Sequence, residues 1–182
     1  MKDLGMKYYN QAAHISIYIT NLGMYNEGVL LGGWVSLPVA EKDLDSIFAD
    51  VTDDFHEEVF ISDFECDCGL NIGDYSGIRE LNEIAEELED LDADQIQIFR
   101  AMVGNWGYEP EDAIEKIDDS YIWQNCSTMT EVAEQYLDES GMLDELPEWA
   151  QGYIDYESYG RDMEIEGRFT PTDDGMSMIE IR

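Results

Sequence analysis

From His14 to Thr20 the chain alternates: Ile15, Ile17 and Ile19 point one way and Ser16, Tyr18 and Thr20 the other, a period of two that predicts a half-buried strand. Asn26-Glu27-Gly28 supplies turn chemistry, and a second apolar run from Val29 to Leu37 ends at Pro38, so the two runs read as a hairpin. A short helix over Glu41 to Ala49 and a strand over Glu58 to Phe64 complete a small α+β module. From Gly73 the period becomes helical. Ile78, Leu81, Ile84, Ala85, Leu88 and Leu91 form one stripe, and Glu80, Glu83, Glu86, Glu87, Glu89 and Asp90 fall largely on the other side. Asp92 and Gln95 resemble a capping pair for a helix from Ala93 to Val103 closed by Gly104, and Pro110 suits the first turn of another ending near Ile117.

Beyond this, Ser120 to Gln124 is strand-like, and Thr128 with Glu131 has capping-box spacing for a helix reaching Gly141. Pro147 opens a further helix carrying Trp149, Tyr153 and Ile154. Glu164 to Thr170 and Ser177 to Ile181 flank Asp173-Asp174-Gly175 as a hairpin. The expected fold class is α+β: a chain of three small modules, with residues 1–13 a loosely ordered extension, 14–72 an α+β module, 73–117 a helical module and 118–182 a second α+β module.

Charge changes the picture. Forty-three Asp and Glu oppose nine Lys and Arg in 182 residues, a formal charge of −34. A hydrophobic fraction of 44% with 12% aromatics supports packed cores, so the acidity belongs to a folded protein and not to a disordered tail. Solubility in high salt is one use of such charge; a basic partner is the other. The same charge sits on the backbone of roughly 17 base pairs of duplex, about 58 Å long. A compact globule of this length is only about 41 Å across. Matching the spacing of phosphates therefore favours an elongated outline. The scattered cations form no basic stripe, which argues against direct nucleic-acid or anionic-membrane binding. No apolar run fits a signal peptide or a membrane span, so a cytoplasmic location is expected.

Catalytic and metal chemistry find little support. With this many carboxylates, some pairs reach general acid–base separations by chance. Asp90 to Asp94 opens like a calcium loop, but Gln95 replaces the required glycine and Ala101 the closing glutamate. Cys66 and Cys68, with Cys126, His14 and His56 elsewhere, reproduce no common zinc spacing, and their thiols are expected to stay reduced. Gly73-Asp74-Tyr75-Ser76-Gly77 misplaces its serine for a nucleophile elbow, and no phosphate-cradling glycine motif is present. The expectation is a protein that is not an enzyme and carries no catalytic residue, cofactor or metal. Tyr121, Ile122 and Trp123, on a stretch placed at a sheet edge, are candidates for a homodimer interface.

Several stretches together resemble a known family. Ile17 to Gly28 (IYITNLGMYNEG), then Gly32-Gly33-Trp34 and Pro38, are similar to the N-terminal signature of the ArdA antirestriction proteins. Tyr153 to Asp162 (YIDYESYGRD) resembles that family's most recognisable stretch, Ala133 to Pro147 its antirestriction motif, and Ser76 to Asn82 the start of its central domain. The resemblance spans roughly residues 14 to 182 and is weakest from Asp92 to Asp119. It implies an elongated three-domain homodimer that mimics bent DNA, inhibits type I restriction–modification enzymes by filling the groove of the methyltransferase core, and travels on mobile genetic elements such as conjugative plasmids and transposons. The residues alone leave open a decoy or chaperone for another basic DNA-binding protein. In either case carboxylates stand in for phosphates. The candidate contacts are Glu80, Glu83, Glu86, Glu87 and Glu89 in the centre and Asp138, Glu139, Asp144 and Glu145 in the motif.

Overall fold

In the computed structural model, which describes residues 3–182, the alternating isoleucines form a strand inside the first sheet. Strand β1 (Gly5–Tyr8), β2 (Ile15–Asn21), helix α1 (Leu22–Asn26), β3 (Gly32–Leu37), α2 (Glu41–Val51) and β4 (Val59–Cys66) give a four-stranded sheet of order β1-β3-β2-β4. β2 is central and antiparallel to β3 and β4, pairing Ile17 with Val35 and with Phe64. Ile15, Ile17 and Ile19 are fully buried, with Leu44, Ile47 and Val51 of α2 also in the core. Each such side chain contributes about 1.5–3 kcal/mol.

The alternate positions of β2 are not solvated as a half-buried strand would have them. Ser16 and Thr20 are buried, and a central strand leaves their hydroxyls only cross-strand partners: Ser36 at 2.7 Å and Ser62 at 2.6 Å. Tyr18 packs edge-to-face on its register partner Trp34, 5.6 Å between centroids, and Tyr9 meets Trp34 from another side at 5.9 Å. Nor is the described part of the N-terminal stretch loose. β1 pairs in parallel with β3, and Leu4 is buried beside it. Helix α3 (Ile78–Leu88) follows and buries Ile78, Leu81, Ala85 and Leu88. Asn82, buried on the same face, accepts from the Val39 amide at 2.8 Å and donates to the Val39 carbonyl at 3.1 Å.

The chain clusters into two compact units, one ending at Asp92 and one beginning at Ala93, and the three expected segments are not separated as such. The second unit opens with α4 (Ala93–Arg100), which continues past the expected stop at Gly104 as a π-helical turn, Ala101–Asn105. Phe99 and Met102, both fully buried, hold that turn in place. Helix α5 (Pro110–Lys116) starts on its proline, and β5 (Tyr121–Trp123) follows a short 3-10 turn. Then come α6 (Met129–Glu139), the single turn α7 (Glu148–Gln151), α8 (Tyr156–Glu166), β6 (Arg168–Pro171) and β7 (Met178–Ile181). The second sheet has the order β5-β7-β6, antiparallel throughout.

Two corrections fall here. The helix expected from Pro147 is one turn long, and Trp149 and Tyr153 are exposed. The strand expected from Glu164 begins only at Arg168, because Glu164 to Glu166 close α8. Asp155 caps that helix, accepting from the Ser158 amide at 3.0 Å and the Ser158 hydroxyl at 2.8 Å. Its contact face is Tyr156, Tyr159, Gly160 and Met163, at helical spacing but poor in aliphatic residues. A Cβ on Gly160 would lie 2.3 Å from the Met129 carbonyl oxygen, so the glycine is what lets α8 close on α6. Tyr159 stacks on Tyr136 of α6 with centroids 6.3 Å apart.

Candidate functional site

A carboxylate that must meet a partner has to stay in water until it does, and every acidic side chain meets that condition. None of the 43 is buried. Several carboxylates are held by caps and turns of their own segment. Asp53, Glu131, Asp155 and Asp174 have pKa values below the ordinary range because amide and hydroxyl groups of caps and turns donate to them. For Asp53 the leading donor is the Phe55 amide, for Glu131 the Ser127 hydroxyl, for Asp155 the Ser158 amide and for Asp174 the Met176 amide. All four are ionised at neutral pH.

Helix α3 presents the most ordered acidic face. Its apolar stripe faces its own unit, leaving Glu80, Glu83, Glu86 and Glu87 exposed, with Glu89 as the exposed C-cap. Glu83 has like-charge neighbours at i−3, i+3 and i+4, arrangements that each cost about 0.2–0.5 kcal/mol. The last turn carries no basic residue, so Glu86, Glu87 and Glu89 also sit at the negative end of the helix dipole, which disfavours each by roughly 0.3–1 kcal/mol. Helix α6 repeats the arrangement. Asp138 and Glu139 occupy a last turn without a cation, and Asp144 and Glu145 are exposed in the turn beyond it. The two groups belong to different units: the α3 acids to the first, the other four to the second.

Several of the few cations are spent internally. Arg79 pairs with Glu41 and, at 2.7 Å, with Asp45; Arg100 pairs with Asp173 at 2.5 Å and Arg182 with Glu180 at 3.0 Å. Arg168 donates to the Tyr108 hydroxyl and lies over that ring, as does Lys116. Among the described residues no three His, Cys, Asp or Glu side chains are grouped to hold a metal ion, and no helix is long and apolar enough to cross a membrane.

The interface candidates separate by burial. β5 is an edge of its sheet, and Tyr121 is 40% exposed there, whereas Ile122 and Trp123 point inward. Trp123 packs with Cys126, Val132 and Met178, meets Tyr136 edge-to-face, and donates from Nε1 to Glu180 at 3.1 Å. It is a core residue of its unit. In the turn after α6, Leu146 is 41% exposed and Leu143 is half-buried.

The family model of the ArdA antirestriction proteins matches residues 17–178. The chain belongs to the ArdA antirestriction family. Antirestriction is therefore its function class. No curated protein sequence matches it. With the family in hand, the stretches that carry the likeness have a common structural use. Asn21 in the N-terminal ArdA stretch caps α1 through Met24 and holds the Val51 and His56 carbonyls at 2.8 and 3.0 Å. Asp155, Tyr159 and Gly160 in the later stretch build α8 against α6. Asn21, Tyr159 and Gly160 thus serve the scaffold, while Asp138, Glu139, Asp144 and Glu145, within the resembling stretch Ala133 to Pro147, lie exposed to solvent.

Proposed function

We propose that this ArdA protein is a non-enzymatic DNA mimic that occupies the DNA-binding groove of type I restriction–modification enzymes, chiefly at the methyltransferase core, and excludes DNA from it. The supporting observation is an uncompensated cost. Clustered like charges on α3, acids at the negative ends of α3 and α6, and a net charge of −34 all oppose folding; the last turns of both helices carry no cation, and nine Lys and Arg cannot offset 43 acids. A Lys- and Arg-lined groove built for phosphates supplies the missing cations in trans. Nine residues form the proposed contact set: Glu80, Glu83, Glu86, Glu87, Glu89, Asp138, Glu139, Asp144 and Glu145. An elongated outline and a dimer joined edge to edge through the β5 region belong to the same reading. The test is restriction of unmodified phage in a host with a type I system. Expression of this protein raises phage survival by orders of magnitude; unchanged restriction across several type I families would overturn the reading. Recovery of a different DNA-binding protein on the immobilised chain, with no methyltransferase, would assign the decoy role elsewhere.

A further inference from the structure

Cys66 and Cys68 take no part in the acidic surface, yet their surroundings are unusual. Cys66 ends β4 and Cys68 follows two residues on, with the sulfurs 3.3 Å apart. Cys68 is fully buried, while Cys66 keeps part of its side chain in solvent. The chain then turns back beside the Cys66 sulfur, where the amides of Cys68, Leu70 and Gly69 favour its ionised form, that of Leu70 acting on both sulfurs. Successive amides aimed at one point form a cradle for an anion. Gly69 makes the turn possible with φ +83°, a region that penalises any side chain. Asp67 fastens the turn to the start of β2, its amide donating to the His14 carbonyl at 3.2 Å and its carboxylate 2.8 Å from the His14 ring.

The Cys68 thiol and this cradle hold the Cys66 pKa down to about 6. Donation to Cys66, together with burial, raises that of Cys68. Near neutral pH the pair therefore carries one negative charge, on the more accessible sulfur. Cys126 differs on each count: it is buried, bonded to Gln135 at 2.9 Å, and burial raises its pKa.

We propose that Cys66 and Cys68 form a two-electron redox site in which Cys66 reacts with hydrogen peroxide and Cys68 resolves the product as an intrachain disulfide. The Cys66 thiolate attacks one peroxide oxygen; the O–O bond breaks, the leaving oxygen takes a proton and departs as water, and a sulfenic acid remains on Cys66. Loss of the Cys66 charge removes the hydrogen bond and the repulsion that raised the Cys68 pKa, leaving burial. Cys68 then gives up its proton and attacks the Cys66 sulfur; the S–S bond forms, the S–O bond breaks, and a second water leaves. Two thiols and one peroxide become one disulfide and two waters, with two electrons passing from sulfur to oxygen. The acidic surface selects the oxidant, because a chain of charge −34 repels anionic disulfides and admits a neutral peroxide.

The experiment treats the unaltered full chain with hydrogen peroxide and, separately, with oxidised glutathione, and maps the products by mass spectrometry. The expected product is a Cys66–Cys68 disulfide that dithiothreitol reverses, formed on the order of tenfold faster with peroxide than with glutathione at low salt, a gap that narrows as salt screens the surface. With dimedone present, Cys68→Ser accumulates an adduct on Cys66, and Cys66→Ser forms neither adduct nor disulfide. Alkylation of Cys66 inflects near pH 6, against about 8.5 for a free thiol. The proposal is overturned if Cys126 oxidises first, if peroxide takes Cys66 to sulfinic acid without a disulfide, or if its alkylation inflects where a free thiol does. None of these readouts depends on restriction, so the site and the DNA-mimic reading stand or fall separately.

Discussion

Gly160 and Glu131 illustrate two ways in which a single residue sets the second unit. Gly160 works by absence. A methyl group there would meet the Met129 backbone, which cannot swing aside as a flexible side chain could. Gly160→Ala is expected to cost about 1–3 kcal/mol, read as a lower denaturation midpoint, with no change in the charge the protein presents. Glu131 works through its ionised form. Its carboxylate accepts from the Ser127 hydroxyl and amide at 2.8 and 2.7 Å and from the Thr128 amide at 3.0 Å, closing the capping box that starts α6. These bonds lower its folded pKa, so their stabilisation is fully present above the unfolded value of about 4.3 and is lost as pH falls through the folded one. The stability gap between the unaltered protein and Glu131→Ala should therefore be widest near neutral pH and close in acid. A gap that persists at pH 2 would mean that packing, not the carboxylate, supports the cap.

At the scale of elements, charge acts by the face and hydrophobic patterning by the period. Each exposed ion pair is worth about 0–1 kcal/mol, so no single glutamate of α3 carries binding. Replacing Glu80, Glu83, Glu86, Glu87 and Glu89 together by glutamine should leave the stability equal or higher, since self-repulsion is relieved, while weakening inhibition of the target enzyme by at least tenfold. Equal inhibition by that variant would remove α3 from the contact set. For β5, burial dictates which substitution is informative. Trp123→Asp would break the core of its unit, whereas Tyr121→Asp removes a partly exposed ring that meets Trp123 edge-to-face at 4.8 Å and, with the folded circular-dichroism signal retained, should shift sedimentation toward a monomer if the edge pairs with a second copy.

Elements with aliphatic periodicity or sharp caps were the readable ones: β2 through its isoleucines, α3 through its stripe, α6 through Thr128 and Glu131. Helix α8 was not readable because its contact face is tyrosine, glycine and methionine, whose helical spacing gives a weak signal. The π-helical turn hid its end because tertiary burial of Phe99 and Met102 overrides the glycine that sequence rules treat as a stop. Acid exposure was legible from the pattern of α3. The inward direction of Trp123 was not, since strand alternation alone does not say which face a sheet will bury.

For the whole molecule, the relevant quantity is the sum of the charges and how salt acts on it. A surface with 43 unburied carboxylates and nine cations associates with a basic groove quickly and loosens steeply as ionic strength rises. Asn21 and Gly160 build the scaffold while the α3 glutamates lie outside it, so the charge of that helix face can be rewritten without touching its core. The central claim is that this acidic surface takes the place of DNA. It is tested most directly by titrating the protein into a type I methyltransferase bound to a fluorescent duplex, at several salt concentrations. The account predicts stoichiometric release of the duplex at low salt and a steep loss of competition as salt increases. A ternary complex that keeps its DNA, or displacement indifferent to salt, would contradict it.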